Sequence, residues 1–118
     1  MTNQFRCLDT GTPLTVSRSA FRRVTLIDEH PDVSWLEDEA GRERLTAFRQ
    51  GYWHMIGIQA SAAFLIPLGG HFVAQTVTSP GFWGIESDAD GDYLDEVFAE
   101  ECANLASMLA ALGVTVIE

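Results

Sequence analysis

The residues best placed to do chemistry are carboxylates. Glu86, Asp88 and Asp90 stand at alternate positions ahead of Gly91, and Asp92, Asp95, Glu96 and Glu100 follow closely. Acids two apart before a glycine imitate the first half of a calcium loop. The pattern then fails: the first ligand would be Glu86 rather than Asp, and the closing bidentate position falls on Val97. The same spacing suits a helix entrance, where Ser87, Asp88 or Asp90 caps the first turn and further acids complement the positive end of the dipole, each by about 0.3–1 kcal/mol. Glu101 is different, because at 100° per residue it lies among Leu94, Val97, Phe98 and Leu105. A carboxylate there must be paired, hydrogen-bonded or protonated. It reads either as an acid facing a pocket shared with Trp83, Glu86 and His54, or as a structural partner for an Arg of the first half, for His54 or for Trp83.

Other chemistries find little support. His30, His54 and His71, with Cys7 and Cys102, have no short ligand spacing, so neither a metal nor a cofactor is expected. There is no phosphate-binding loop, nucleophile elbow or Cys-x-x-Cys pair, and Gly81-x-x-Gly84 lacks the context of a dinucleotide site. Arg18, Arg22 and Arg23 form the one basic cluster, which suits a solvated strand face or pairing with the acidic helix.

Charge narrows the classes further. All seven basic residues are Arg and precede position 50, where eight carboxylates leave a net −1; the remainder carries nine carboxylates unopposed, for −10 in all. Such a surface repels nucleic acid and anionic membranes and favours basic partners. The chain has 118 residues, of which 47% are hydrophobic and 20% charged, the composition of one folded domain. No basic start leads into an apolar run, and Met55 to Leu68 is too short to span a bilayer. With two unspaced cysteines, the expectation is a cytoplasmic protein with reduced thiols.

These residues need elements to hold them. Residues 1–20 read as an N-terminal arm or edge strand, with Leu14 and Val16 hinting at the strand, and 21–118 as a single α+β domain. Val24 and Leu26 alternate with Thr25 and Ile27 in a β-branched run that His30-Pro31 ends. Ser34-x-x-Glu37 has capping-box spacing, and a helix is predicted over Arg42 to Gln50 with Leu45 and Phe48 inward and Gly51 as its stop. Tyr52 to Ile66 alternates, with Ile56, Ile58, Ala60, Ala62, Phe64 and Ile66 on one face. Gly69-Gly70 is a two-residue hairpin signal. If Leu68 opposes His71, then Ile66 faces Val73 and Ala62 faces Val77, with Gln75 the exception on an apolar face. Asp92 to Leu112 carries a helical stripe of Leu94, Val97, Phe98, Leu105, Met108, Leu109 and Leu112, stopped by Gly113 before a short strand over Val114 to Ile117. This predicts α+β, an antiparallel sheet with two helices packed on one face, and the element order admits the ferredoxin-like topology βαββαβ.

Asp28-Glu29-His30-Pro31-Asp32-Val33-Ser34-Trp35-Leu36, Gly51-Tyr52-Trp53 through Gln59-Ala60, Gly81-Phe82-Trp83-Gly84-Ile85-Glu86-Ser87-Asp88, Tyr93-Leu94 and Leu112-Gly113 carry a resemblance. From about Leu26 onward the chain resembles an uncharacterised family of small acidic proteins carried by phages, plasmids and other mobile elements. The family usually has a longer insertion after its Ser-aromatic-Leu piece, where this chain goes directly into Glu37-Asp38-Glu39. The resemblance implies no activity. It implies a mobile-element gene product, for which antagonising a host defence is a common occupation.

Three readings follow. The first is a small acidic binding protein, anti-CRISPR-like or a DNA mimic, that inhibits a host defence or nucleic-acid-handling complex by protein–protein contact. Glu86, Asp88, Asp90, Asp92, Asp95, Glu96 and Glu100 would meet a basic protein or nucleoprotein, with no direct nucleic-acid binding and no membrane. The second is a small enzyme or ligand-binding domain with a pocket near Trp83, Glu86 and Glu101. The third is a dimeric structural protein, a homodimer through the second sheet face at Trp53, Met55 and Leu65.

Overall fold

A computed structural model describes residues 14–118. In chain order the elements are β1 (Thr15–Ser17), β2 (Arg22–Ile27), α1 (Arg42–Arg49), β3 (Met55–Leu68), β4 (His71–Thr78), β5 (Phe82–Glu86), α2 (Gly91–Ala111) and β6 (Thr115–Ile117). The fold is α+β, a mainly antiparallel four-stranded sheet with two α-helices. Residues 1–13, which hold most of the predicted N-terminal arm and Cys7, lie outside the described residues. The strand expected at Leu14 and Val16 is β1.

The central element is β3, whose 14 residues exceed any neighbour's length. Its first half takes β2 on one edge, from Arg22 opposite Ser61 to Ile27 opposite Ile56. It also takes β5, with Ile85 opposite Ile56 and Phe82 opposite Ile58. Its second half takes β4 in the register expected from the apolar pattern, with Leu68 opposite His71, Ile66 opposite Val73 and Ala62 opposite Val77. Gly69 and Gly70 have φ of 58° and 81°, the paired positive values of a type I′ turn, whose twist matches the strands it joins.

Alternation sends Ile56, Ile58, Ala60 and Ala62 to the face that α2 covers. Val97 packs with Ile56, Ile58 and Ile85, while Cys102, Leu105 and Leu109 pack with Ala60 and Ala62. The lengths agree: Val97 to Leu109 rises about 18 Å along a helix, and Ile56 to Ala62 about 20 Å along a strand. Leu14, Val16, Phe21 and Val114 close the same core at the far end, where β1 and β6 form a separate parallel pair.

Three expectations are corrected. A ferredoxin-like sheet keeps its first and second strands parallel and inserts the third between them, whereas here β2 pairs directly and antiparallel with β3, and β6 leaves the sheet for β1. The long β3 fills the role of centre for every neighbour, and an antiparallel β2–β3 pair needs no helical crossover. The helices do not share a face either. Met55 and Ile56 point to opposite sides of β3, and α1 belongs to the Met55 side, where Leu45 packs with Leu36, Trp53 and Met55. Finally, Ser34 caps nothing: its hydroxyl donates to Asp32 (2.6 Å), and Asp38 caps the one-turn 3-10 helix Glu39–Gly41 by accepting from the Gly41 N–H (2.9 Å).

Candidate functional site

The predicted acids divide according to what the fold does with them. β5 delivers Glu86 opposite Met55, and therefore on the α1 side of the sheet. Arg44, from α1, reaches across and closes on both Glu86 and Asp88. Its Nη1 donates to Asp88 Oδ2 (2.8 Å), and its Nη2 donates to Asp88 Oδ1 and to Glu86 Oε2 (3.0 Å). The guanidinium also lies 4.0 Å from the centroid of Trp53, whose Nε1–H donates to the Arg44 carbonyl (2.9 Å). This two-pronged grip raises the Arg44 pKa and holds Asp88 below the usual carboxylate range. Glu86 and Asp88 thus fasten α1 to the sheet.

Asp90 is the α2 cap, accepting from the Asp92 N–H (3.1 Å). Asp95 is engaged as well, by Arg23 of β2 (3.1 Å), whose guanidinium lies 6.0 Å from the Phe98 ring. The helix therefore retains Asp92, Glu96 and Glu100. All three are exposed, and no ion pair among the described residues reaches them. At i, i+4 and i+8 they form one row on the face turned away from the core, one carboxylate per about 6 Å of rise. Tyr93, exposed and three residues before Glu96, borders the row.

The pocket candidates do not converge. Glu101 is 4% exposed and spends its carboxylate on the turn between β4 and β5. Ser79 Oγ (2.7 Å) and the Gly81 N–H (2.8 Å) donate to Oε1, and Asn104 Nδ2 (3.1 Å) to Oε2. The Ser79 hydroxyl in turn accepts from the Ala60 N–H (2.9 Å). Glu101 is thus structural, but its partners are neither an Arg, nor His54, nor Trp83. Trp83 lies across the sheet from Glu101, against Gly57: a Cβ there would stand 2.2 Å from its ring, so only glycine admits it. Its indole N–H donates to the Pro80 carbonyl (3.1 Å). His54 is exposed, and its backbone N–H donates to Ser87 Oγ (3.0 Å).

Two hollows of the surface among the described residues do not include Glu101. One, of about 250 Å³, is lined by apolar side chains including Leu14, Phe64, Ile66 and Leu112. The other is a shallow depression of about 520 Å³ along residues 25–30 and Trp83. Among the described residues, no three His, Cys, Asp or Glu side chains gather as a metal site would require, and no helix is long and apolar enough to cross a membrane.

Sequence reasoning missed Arg44, Ser79 and Asn104. The Arg44 bonds span 42 and 44 residues, so no local pattern announces them. Asn104 was within reach of inspection, being three residues from Glu101 on a helix. Comparison of the chain with protein-family models, curated proteins and solved structures returns no match.

Proposed function

We propose that this is a small acidic binding protein that acts in the host cytoplasm for a mobile element. It inhibits a defence or nucleic-acid-handling complex by occupying a basic surface with the outer face of α2. The observation that carries the reading is the division of the acids. Arg44 takes Glu86 and Asp88, Arg23 takes Asp95 and Asp90 caps the helix, yet Asp92, Glu96 and Glu100 stand in a row with no ion pair among the described residues. Like charges four residues apart repel by a few tenths of a kcal/mol, so the row weakens the helix it decorates. It supplies an anionic ridge instead, which steers a basic partner and excludes acidic ones. The ridge is sparser than nucleic acid, which carries one phosphate per about 3.4 Å of axis on each strand. It therefore suits a short stretch of a phosphate-binding groove. Of the expected contact set, Glu86, Asp88, Asp90 and Asp95 also hold ion pairs or a helix cap within the fold, which leaves the row as its unengaged part. The small-enzyme reading gains no support, since Trp83, Glu86, His54 and Glu101 are dispersed.

The test is affinity purification from a host extract with the parent chain and with the double substitution E96Q/E100Q. The double variant should melt at the same temperature or slightly higher, and should lose the co-purifying basic protein or nucleoprotein. Retention of that partner by the double variant, with unchanged salt dependence, would remove the α2 face from the mechanism.

A further inference from the structure

The distal half of the β3–β4 hairpin is a two-stranded arm that, among the described residues, is covered only on its α2 side, where Phe64, Ile66 and Val77 pack against the core. β2 reaches no further than Arg22 opposite Ser61, and β5 pairs only between Met55 and Ile58, so among the described residues the two strands have no other partner beyond Ser61. On the side away from α2, Leu65 is 58% and Phe72 68% exposed. Two strands alone are at best marginally stable in water. The arm is also uncharged: no Asp, Glu, Lys or Arg occurs between Gly51 and Ile85.

Its two edges are treated differently. In a two-residue hairpin the residues flanking the turn, here Leu68 and His71, exchange both backbone hydrogen bonds. Alternation then turns the backbone groups of Val73, Gln75 and Val77 towards β3 and those of Phe72, Ala74, Thr76 and Thr78 outward. On β3 the same alternation turns the backbone nitrogen of Pro67, opposite Phe72, to the outer edge, where proline has no N–H to offer. Proline and charge are the usual guards of an edge strand. The β3 edge has one such guard, while β4, from His71 to Thr78, has no proline, no glycine and no charge.

We propose that the β4 edge is the contact between two copies of this chain, paired antiparallel about a two-fold axis at Gln75. In this register Phe72 meets Thr78 and Ala74 meets Thr76 through the outward backbone groups, so that the whole strand is used. Val73 meets Val77. Gln75, whose amide has no hydrogen-bond partner among the described residues, lies beside its own copy, where two amides bond to each other. The absence of charge on the arm makes it the place where a second copy can be the occupant. Two molecules of net −10 repel wherever carboxylates face each other, and the arm carries none. Antiparallel pairing also sends the two acidic bodies to opposite ends. A foreign basic strand, by contrast, finds no carboxylate on the arm to pair with. The contact is isologous, as a two-fold requires, and it closes without propagating along the edge.

The test uses the full chain. Light scattering or sedimentation should give twice the 13.0 kDa chain mass at micromolar concentration. Gln75→Glu places two carboxylates together at the axis and should shift the chain to a folded monomer, whose melting temperature, unlike the parent's, does not rise with concentration. Because a core defect could mimic that loss, Gln75→Cys gives an independent reading. Under mild oxidation a disulfide should join position 75 to its own copy, identified by peptide mapping, since opposed residues of an antiparallel pair fall within disulfide reach. Val73→Cys should not link to itself. A parent chain that is monomeric throughout, or a dimer that ignores Gln75→Glu and forms no link at position 75, would overturn the proposal.

Discussion

Glu101 looks misplaced in the apolar stripe of α2, and its partners account for it. Three donors converge on one carboxylate, and two of them belong to the Ser79–Gly81 turn that carries the chain from β4 to β5. Glu101→Ala strands a buried hydroxyl and a backbone N–H, at about 1–3 kcal/mol each, so chemical unfolding should show a loss of about 2–5 kcal/mol. Glu101→Gln keeps an oxygen for Ser79 and Gly81 and should lose less, about 1 kcal/mol. Equal losses would mean that the charge, not the acceptor, holds the turn. Arg44 permits a second measurement. In the folded protein Asp88 titrates below its ordinary value because Arg44 donates to its carboxylate. Its contribution is therefore complete above the unfolded carboxylate pKa of about 3.9 and is lost as pH falls through the depressed folded value. Carbon-detected titration should place Asp88 below a free Asp, and Arg44→Met should bring it back. An Asp88 titration unmoved by that change would show that the fork does not form in solution. None of these partners was legible in the sequence, because the bonds to Glu101 and Asp88 reach 20 to 44 residues away, apart from Asn104.

At the scale of elements, the hairpin and α2 were legible because each repeats a simple period. The period-two pattern of β3 and β4 and the Gly69-Gly70 turn admit one register, since a slip of one residue would turn every apolar side chain outward. The stripe on α2 likewise marks one face for the sheet, and Val97, Leu105 and Leu109 are buried there. The position of α1 was not legible. Leu45 and Phe48 require only an apolar patch, and Trp53 with Met55 offers one on the side opposite to α2. Nor was the sheet order, because alternation says which face a strand buries but not which neighbour it takes. The two ends of β3 should differ accordingly. Ile58 is 0% exposed beneath α2, and Ile58→Ala should cost about 2–5 kcal/mol. Phe64 is half-buried beside the 250 Å³ hollow, already short of packing partners, so Phe64→Ala should cost less than Ile58→Ala. Denaturant midpoints would compare the two, and a larger loss at Phe64 would show that the arm is better packed in solution than in the isolated chain.

At the scale of the whole molecule, charge and its absence are sorted into separate regions. A row of acids with no ion pair among the described residues lies on α2, while residues 51–85, which build the arm, carry no charge. One molecule can therefore present two contacts with opposite responses to salt. A contact through Asp92, Glu96 and Glu100 is drawn together by charge, and salt weakens it as the screening length falls from about 30 Å at 0.01 M to about 8 Å at 0.15 M. A contact between two arms brings two bodies of net −10 towards each other and gains nothing from charge, so the same screening should leave it unchanged or strengthen it. Sedimentation of the chain alone and a binding titration with its basic partner, each repeated across that range, should give slopes of opposite sign. E96Q/E100Q should flatten the partner's slope and leave self-association intact; Gln75→Glu should abolish self-association and leave the slope for each bound chain as it was. If self-association also weakens with salt, the two copies meet through charge, and the arm is not where they touch.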